Sequence, residues 1–276
     1  MIDCHCHLAD KAFDADIDAV VNRAKEAGVK AVLVNTECKE EYQKTLDMAK
    51  KYDGFCMPCF GVHPVQYEIV HSVTYEDATD PAPVSVKRQD INGVDEWFAK
   101  HHSSLVAVGE CGLDFTPRYI KSDDDKAAQR EVLKEQIALG KQYDLALNVH
   151  SRSAGTPVID FLRSNGADRV LLHAFSGSPK NAQPAIDAGF YFSIPPSFAN
   201  LEEKRKLIEK IPIDQLCLET DSPVLGPSKT ERNEPANIII SAQWIATVKG
   251  LSVEEVVQKT TANALRLFPK LQSLIK

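Results

Sequence analysis

Short β-rich segments alternate with helical segments along this chain of 276 residues, and the alternation limits the possible folds more than any other feature. The segments predicted as strands are 2–5, 31–34, 55–62, 105–108, 146–149, 170–172, 190–194 and 215–218. A helix after each strand predicts a parallel sheet, and eight strand–helix units are the number that closes a TIM barrel. We therefore predict the α/β class and a single (β/α)8 barrel domain over residues 1–276.

The intervening segments have the apolar spacing of amphipathic helices. The predicted helices are 16–27, 40–51, 91–101, 125–143, 157–164, 181–188, 202–209, 238–248 and 253–267. In the first of them Ile17, Val20 and Ala24 share one face, and Gly28 is suited to cap its C-terminus. The sequence has no glycine-rich nucleotide-binding motif, which disfavours an open doubly wound sheet.

Two segments do not follow the alternation in an obvious way. Residues 66–90 are polar and contain Pro81 and Pro83, so we predict an irregular insertion on the substrate side of the barrel. Cys56 and Cys59 form an isolated Cys-x-x-Cys within a predicted strand. We expect ordinary core cysteines there, with a redox or zinc site as the alternative.

The bulk composition bounds the function. A net charge of −7 and a pI of about 5.6 exclude a protein that coats duplex DNA without regard to sequence, because such a protein needs a broad basic face. They allow an enzyme that binds only a few phosphates. No apolar run is long enough to span a bilayer and no signal peptide is evident, so we expect no membrane partner. Seven cysteines without a repeated spacing indicate a reducing compartment, and we expect an intracellular protein, cytoplasmic or nuclear.

The first predicted strand carries a His-x-His pair. Because residues i and i+2 of a strand point to the same face, His5 and His7 can present two imidazoles to one metal ion. The same alternation predicts that Cys4 and Cys6 point the other way. Two exposed terminal histidines are the alternative reading of this motif.

Polar residues follow most of the other predicted strands and strengthen the metal interpretation. In a parallel barrel the carboxyl ends of all strands meet at one face, where the active site lies. The residues expected to converge there are His5, His7, Glu110, His150, His173 and Asp221. These four imidazoles and two carboxylates supply enough nitrogen and oxygen ligands for two divalent cations, which could be Zn²⁺, Mn²⁺ or Mg²⁺. The simplest partition gives His5, His7 and Asp221 to one ion, His150 and His173 to the other, and Glu110 to both.

Further residues at the same face are candidates for substrate contacts. His63 follows the third strand and is a candidate phosphate donor or leaving-group acid, or else it only orders its Gly-x-His-Pro turn. Arg152 and Arg232 are candidate phosphate clamps, or else surface arginines paired with acids. Asp114 and Glu219 are expected to orient ligands rather than to bind metal.

The motifs that contain these residues together resemble the TatD family of metal-dependent deoxyribonucleases, within the amidohydrolase-like barrels. The matching segments are 3–8, 61–64, 109–114, 148–152, 173–177, 219–223 and 232–237. Segments 150–155 and 192–197 resemble a eukaryotic branch of that family. Cys111 departs from the usual Val or Ile, and we expect it to point away from the metals if Glu110 points towards them.

The resemblance implies hydrolysis of DNA phosphodiester bonds with divalent metals, as a 3′→5′ exonuclease or at abasic sites. DNA ends or abasic-site DNA are then the expected partners, and no obligate protein partner is evident. If the resemblance holds, Glu110 and Asp221 are catalytic residues that help the two metal ions to activate a water molecule, and Asp221 is also the expected proton acceptor. The alternatives are a barrel hydrolase of a small amide, lactone or phosphoester, and a non-catalytic binding protein. The last is disfavoured because every ligand position is filled.

Overall fold

The computed structural model describes residues 1–67 and 83–274. Its strands are β1 (Ile2–Cys6), β2 (Ala31–Asn35), β3 (Cys56–Phe60), β4 (Val65–Tyr67), β5 (Pro83–Ser85), β6 (Ala107–Gly112), β7 (Ala146–His150), β8 (Val170–Leu172), β9 (Tyr191–Ile194) and β10 (Leu216–Leu218). Within the described residues, all of them except β4 and β5 form one eight-stranded parallel sheet in chain order. The predicted α/β barrel is confirmed.

Helices cover the outside of this sheet. They are α1 (Ile17–Glu26), α2 (Tyr42–Lys51), α3 (Val94–His101), α4 (Asp123–Gln142), α5 (Gly155–Ser164), α6 (Pro179–Asp187), α7 (Glu202–Lys210), α8 (Ile238–Lys249), α9 (Val253–Leu267) and α10 (Leu271–Leu274). Local signals explain where several begin. At the start of α4 the Ser122 hydroxyl accepts the Asp125 N–H, and the Asp125 carboxylate accepts the Ser122 N–H, which is a capping box.

The first and last strands meet at their carboxyl ends. The Asp221 N–H donates to His5 O at 2.9 Å, and the His7 N–H donates to Ser222 O at 2.8 Å. The buried Asp3 carboxylate also accepts the Thr220 N–H at 2.9 Å and its hydroxyl at 2.5 Å. These bonds bring the His-x-His segment directly beside Asp221.

The opposite end of the barrel is closed by apolar packing. Buried side chains from the strand starts, such as Ile2, Ala31 and Leu171, pack with Phe268 and Leu271 at the C-terminal end of the described chain. A larger cluster fills the space between strands and outer helices. Each fully buried Leu, Ile or Phe side chain stabilises the fold by about 1.5–3 kcal/mol. The N-terminal end is therefore plugged, and only the carboxyl end is left for a polar site.

Strand β1 departs from strict alternation. Between Asp3 and Cys6 it has one more residue than β2, so the register shifts. Cys4 consequently packs in the cluster with Ile2, whereas Cys6 packs in the outer cluster. The prediction that both cysteines share one face is wrong, because a bulge interrupts the two-residue period.

The segment predicted as an irregular insertion, 66–90, has regular structure in its described residues. β4 and β5 pair antiparallel, with Val65 opposite Ser85 and Tyr67 opposite Pro83, so the ends of the segment form the base of a hairpin. A short 3₁₀ turn follows at Arg88–Ile91. Pro81 and the rest of 68–82 lie outside the described residues.

The Cys-x-x-Cys pair is a core feature. Both cysteines are free and buried in β3, and because they are three residues apart they pack in different clusters. Burial raises the pKa of the Cys56 thiol to about 12, so the reactive thiolate is disfavoured. In the described part of the chain no helix combines the length and the apolar character needed to cross a membrane.

Candidate metal centre

Six polar side chains converge at the carboxyl end of the barrel. They are His5, His7, Glu110, His150, His173 and Asp221, the set that the strand ends predict, and all but His7 are buried. Close backbone approach brings them together. A Cβ on Gly61 would lie 2.4 Å from Glu110 O, so only glycine lets the end of β3 approach β6 this closely.

One group surrounds the Oε2 atom of Glu110. Nε2 of His5 lies 3.4 Å and Nε2 of His7 3.2 Å from Oε2, and the two nitrogens are 3.1 Å apart. Oδ1 of Asp221 is 3.5 Å and 3.4 Å from the same nitrogens. Four tetrahedral ligands at about 2.0–2.1 Å from one ion are separated by about 3.3 Å, so these spacings fit a metal ion. We call His5, His7 and Asp221 the Oε2 cluster.

A second group surrounds the other oxygen. Nδ1 of His150 and Nε2 of His173 each lie 2.7 Å from Oε1 of Glu110, and 3.3 Å from one another. Nε2 of His63 is 3.5 Å from the same oxygen. We call His63, His150 and His173 the Oε1 cluster. The two oxygens of a single carboxylate thus face two donor groups that adjoin where the His5 and His173 rings stack, with centroids 3.8 Å apart, and a carboxylate placed in this way can bridge two ions.

The charge states of the centre differ from group to group. Burial acts to raise the pKa of Glu110, but His173, His63 and His5 hold it well below its usual range. Burial, helped by the charge of His5, lowers the pKa of His173 to about 4, which leaves that ring neutral as a metal ligand must be. Against its own burial, Asp114 and Glu110 raise the pKa of His150 to about 9 when no ion is bound, so a metal ion that binds Nδ1 must displace a proton from it.

Two buried partners fix the orientation of ligand rings. Nδ1 of His5 lies 2.8 Å from the Asn148 amide oxygen, whose nitrogen donates to Cys4 O at 2.8 Å. This network assigns the proton to Nδ1 and leaves Nε2 of His5 free to bind metal. Asp114 accepts from Nε2 of His150 at 3.1 Å, which directs Nδ1 towards Glu110. Burial opposes ionisation of Asp114, but the His150 contact holds its pKa at about 2.

Glu219 lies farther from the His173 ring than Asp114 lies from the His150 ring. Its Oε2 is 3.7 Å from Nδ1 of His173, beyond hydrogen-bond distance. Instead it accepts the Ala174 N–H at 2.9 Å and the Ser193 hydroxyl at 2.6 Å. It therefore holds the backbone that follows His173. Its burial raises its pKa well above the usual range.

Two buried glutamines on α4 support the Oε1 side, and the sequence analysis missed them. The Gln129 amide accepts the Asp114 N–H at 2.8 Å and donates to Asp114 O at 2.9 Å. Gln136 makes the same pair of bonds with Val62, at 2.8 Å and 3.0 Å. Their spacing of seven residues places both on one face of the helix, and polar residues on a buried helix face are the signal that identifies them. Asn148, two residues before His150 on β7, was also missed.

His63 orders its turn with one ring nitrogen and faces the metal centre with the other, so its predicted contact with phosphate stays a prediction. Its Nδ1 accepts the Val65 N–H at 3.0 Å, which orders the turn after β3 and leaves the proton of the neutral ring on Nε2. Its Nε2 faces Glu110 and the cavity above the two clusters. Burial lowers the pKa of His63, which favours the neutral ring.

The two candidate arginines are placed differently. Arg152 is exposed, lines the cavity of about 280 Å³ over the centre, and makes no side-chain hydrogen bond or ion pair with the described residues. Arg232 is outside that cavity. Both of its terminal nitrogens bind the Asp16 carboxylate at 2.7 Å, and its guanidinium lies 4.6 Å over the Phe13 ring. The prediction that Arg232 clamps phosphate is therefore not supported, because a nearby acid already occupies it.

Cys111 packs away from the centre. It is fully buried in the outer cluster, and its thiol donates to Asn148 O at 3.6 Å. The departure from the family residue is therefore a change in packing.

Comparisons with known proteins agree with this geometry. The family model described as TatD related DNase matches residues 2–269. The human deoxyribonuclease TATDN3 is 47% identical over 279 residues, covering 100% of this chain and 97% of the human protein. The uncharacterized metal-dependent hydrolase YabD of Bacillus subtilis is 34% identical, covering 97% of this chain and 98% of its own.

A solved structure shares the architecture over nearly the whole length. The crystal structure of YJJV, a TatD homolog from Escherichia coli, has a TM-score of 0.82 and 25% identity, and the match covers 98% of each chain. The family model, the curated relatives and the fold agree from end to end. The chain therefore belongs to the TatD-related DNase family of metal-dependent hydrolases.

Proposed function

We propose that this enzyme hydrolyses phosphodiester bonds of DNA with two divalent metal ions held side by side at the barrel mouth. The observation that carries the proposal is Glu110, whose two carboxylate oxygens face two different clusters of imidazole and carboxylate donors. The family match and the names of the curated relatives support DNA as the substrate. The bound ions supply Lewis-acid stabilisation of phosphate oxygens and an activated water.

The protein residues have distinct tasks in this proposal. The Oε2 cluster holds one ion, and His150 and His173 of the Oε1 cluster hold the other. The imidazole-rich donor set favours Zn²⁺ or Mn²⁺ over Mg²⁺. Asp221 accepts the proton of the attacking water. Burial opposes its ionisation, but His7 and the other imidazoles keep its pKa below the usual value, so it is ionised and ready to act.

Charge explains why metal ions are needed before an anion can bind. The cavity over the centre is lined by five carboxylates, those of Asp10, Glu37, Glu110, Asp114 and Asp221. Arg152 is the one guanidinium among its lining residues in the described chain. Without cations this cavity repels phosphate. With the carboxylates neutralised, Arg152 can clamp two phosphate oxygens and His63 can donate to a third.

We further propose that the cleaved bond lies at a DNA 3′ end or at an abasic site, where little duplex has to be opened. The free cysteines support a reducing compartment, the cytoplasm or nucleus, as the place where the enzyme meets its substrate. A hydrolase of a small amide or lactone is the competing function on this barrel. Arg152, which has no side-chain partner in the described part of the chain, lies beside the centre and favours the anionic substrate.

The test is cleavage of a labelled oligonucleotide, with either a free 3′ end or an abasic site, in Mn²⁺, Mg²⁺ or Zn²⁺. We expect cleavage that a chelator abolishes and added metal restores. Glu110→Ala is the matched inactive control, with its fold checked by circular dichroism. Hydrolysis of amides or lactones without any cleavage of phosphodiesters would reject the proposal.

A further inference from the structure

A second cavity, of about 180 Å³, adjoins the metal centre on the side of β8 and β9. It shares His150, His173 and Asp221 with the main cavity. Its remaining wall includes Ser176, from the loop after β8, and Phe198, from the turn after β9. The centre thus lies between two cavities rather than at the bottom of one.

The two cavities differ in charge. Asp10, Glu37 and Asp114 line the main cavity, and none of them lines the second one. Beyond the residues of the centre and Arg152, the second cavity is walled by small, hydroxyl or apolar side chains. Such a wall suits an uncharged group with apolar faces and a few hydrogen-bonding atoms.

Arg152 and Leu225 line both cavities and mark the junction between them. The Arg152 guanidinium has no side-chain partner among the described residues, so it is available to a phosphate at this point. A phosphate bound there would have one of its two ester substituents on each side. The second cavity is therefore positioned for the group attached to the scissile phosphate.

The wall of the second cavity is held in place by contacts of its own. Nζ of the buried Lys204 lies 4.6 Å over the Phe198 ring and donates to Ser176 O at 3.3 Å. On the other side, Glu219 holds the Ala174 N–H. These contacts tie the loops after β8 and β9 together, so the cavity is preformed.

We propose that the second cavity is a subsite for the sugar or base of the one deoxynucleotide next to the scissile phosphate, a role that rests on the proposed phosphodiesterase function. Pockets that enclose a whole drug-sized ligand measure about 300–1,000 Å³, so a cavity of 180 Å³ takes a single sugar or base. A base that is still paired brings its partner with it and does not fit. The nucleotide must therefore be terminal, already unpaired, or turned out of the stack.

The experiment fills the subsite while the metals stay in place. Ser176→Trp adds an indole to an exposed position on its wall, and Asn181→Trp, exposed in α6 and lining neither cavity, is the matched control. Each protein is assayed on a labelled single-stranded oligonucleotide and on methyl p-nitrophenyl phosphate, which has no nucleoside. Metal content is measured by mass spectrometry.

We expect Ser176→Trp to lower kcat/KM for the oligonucleotide by roughly 10- to 100-fold, the effect of losing one buried apolar group. Its metal content and its activity on the small ester should match those of wild type and of Asn181→Trp. Equal losses on both substrates, or no loss on either, would overturn the subsite. Failure of the wild type to cleave either phosphodiester would instead overturn the proposed function and the subsite with it.

Discussion

The two clusters that face Glu110 are held by different means. The Oε2 cluster stands where β1 and β10 meet, and backbone bonds between Asp221 and His5 and between His7 and Ser222 hold it. The Oε1 cluster depends on side chains, with Asp114 bound to His150 and Gln129 bound to Asp114. The Oε2 cluster is thus held by the contacts that close the barrel, whereas the Oε1 cluster is held by a chain of hydrogen bonds that begins on α4. A single side-chain substitution should therefore disable the Oε1 cluster more selectively than the Oε2 cluster.

The largest effect is expected for Glu110→Ala, which acts on both clusters at once. Without the carboxylate, two cations would repel each other across a short gap, so at least one binds weakly. We expect DNA cleavage to fall by on the order of 10³-fold or more, within or above the range of a lost acid–base group. The assay is oligonucleotide cleavage together with circular dichroism. A folded Glu110→Ala protein with near wild-type cleavage would show that the centre is elsewhere.

Asp221→Asn should act on the Oε2 cluster alone. Asp221 has a left-handed backbone conformation, with φ of 54°. Asn tolerates this conformation, so the backbone hydrogen bonds between β1 and the segment after β10 should survive the substitution. Loss of the charged ligand and proton acceptor should lower kcat by about 10²–10⁴-fold. Metal analysis should find the Oε1 cluster still loaded. Full metal content with unchanged kcat would remove Asp221 from both roles.

Asp114→Asn and Asn148→Leu compare the two clusters through residues that bind no metal. Asp114 orients His150, and Asn148 orients His5. Loss of a partner that orients a ligand commonly costs roughly 10- to 100-fold in metal affinity or activity. We expect Asp114→Asn to weaken one ion and Asn148→Leu the other, as seen by metal titration. If both variants weaken the same ion, the division into two clusters is wrong.

The Asp114–His150 contact should also give the metal-free protein a pH signature. His150 has its pKa raised from 6.5 to about 9, so it stabilises the fold below pH 6.5 and loses this effect as pH rises through 9. Asp114 has its pKa lowered from 3.8 to about 2, so its contribution is present above pH 3.8 and is lost as pH falls through 2. The contact is fully effective between about pH 4 and 6.5.

Thermal unfolding in chelator measures this signature. The difference in melting temperature between wild type and Asp114→Asn should be largest in that window and shrink towards pH 9. A difference that grows steadily from pH 6.5 to 9 would contradict the assignment of the proton to His150.

The smallest effects separate the two arginines. Arg152→Ala should raise KM for DNA by about tenfold with unchanged metal content, because a charged hydrogen bond to phosphate is lost. Arg232→Ala should leave KM unchanged and lower the melting temperature slightly, because its partners Asp16 and Phe13 belong to the fold. A raised KM in Arg232→Ala and not in Arg152→Ala would reverse this assignment.

Much of the fold was predictable because each strand and helix carries its own local pattern. The six proposed ligands followed from the rule that parallel strands end at one face, and the structure brings them together. Asn148 and Gln129 were missed since their importance depends on residues distant in sequence that the fold brings against them, His5 for Asn148 and Asp114 for Gln129. The pairing of Arg232 with Asp16 was left as an alternative because the two residues are distant in sequence and meet only in the fold. Cys4 was misplaced because a bulge in β1 leaves no trace in a two-residue pattern.

We claim that one carboxylate joins two metal ions, and anomalous scattering from crystals grown with Mn²⁺ or Zn²⁺ is the measurement that decides it. We expect two peaks about 3.5–4 Å apart, one beside His5 and His7 and one beside His150 and His173. Each ion should lie about 2.0–2.6 Å from one oxygen of Glu110. A single peak in the loaded enzyme, or an ion more than about 4 Å from both Glu110 oxygens, would contradict the claim.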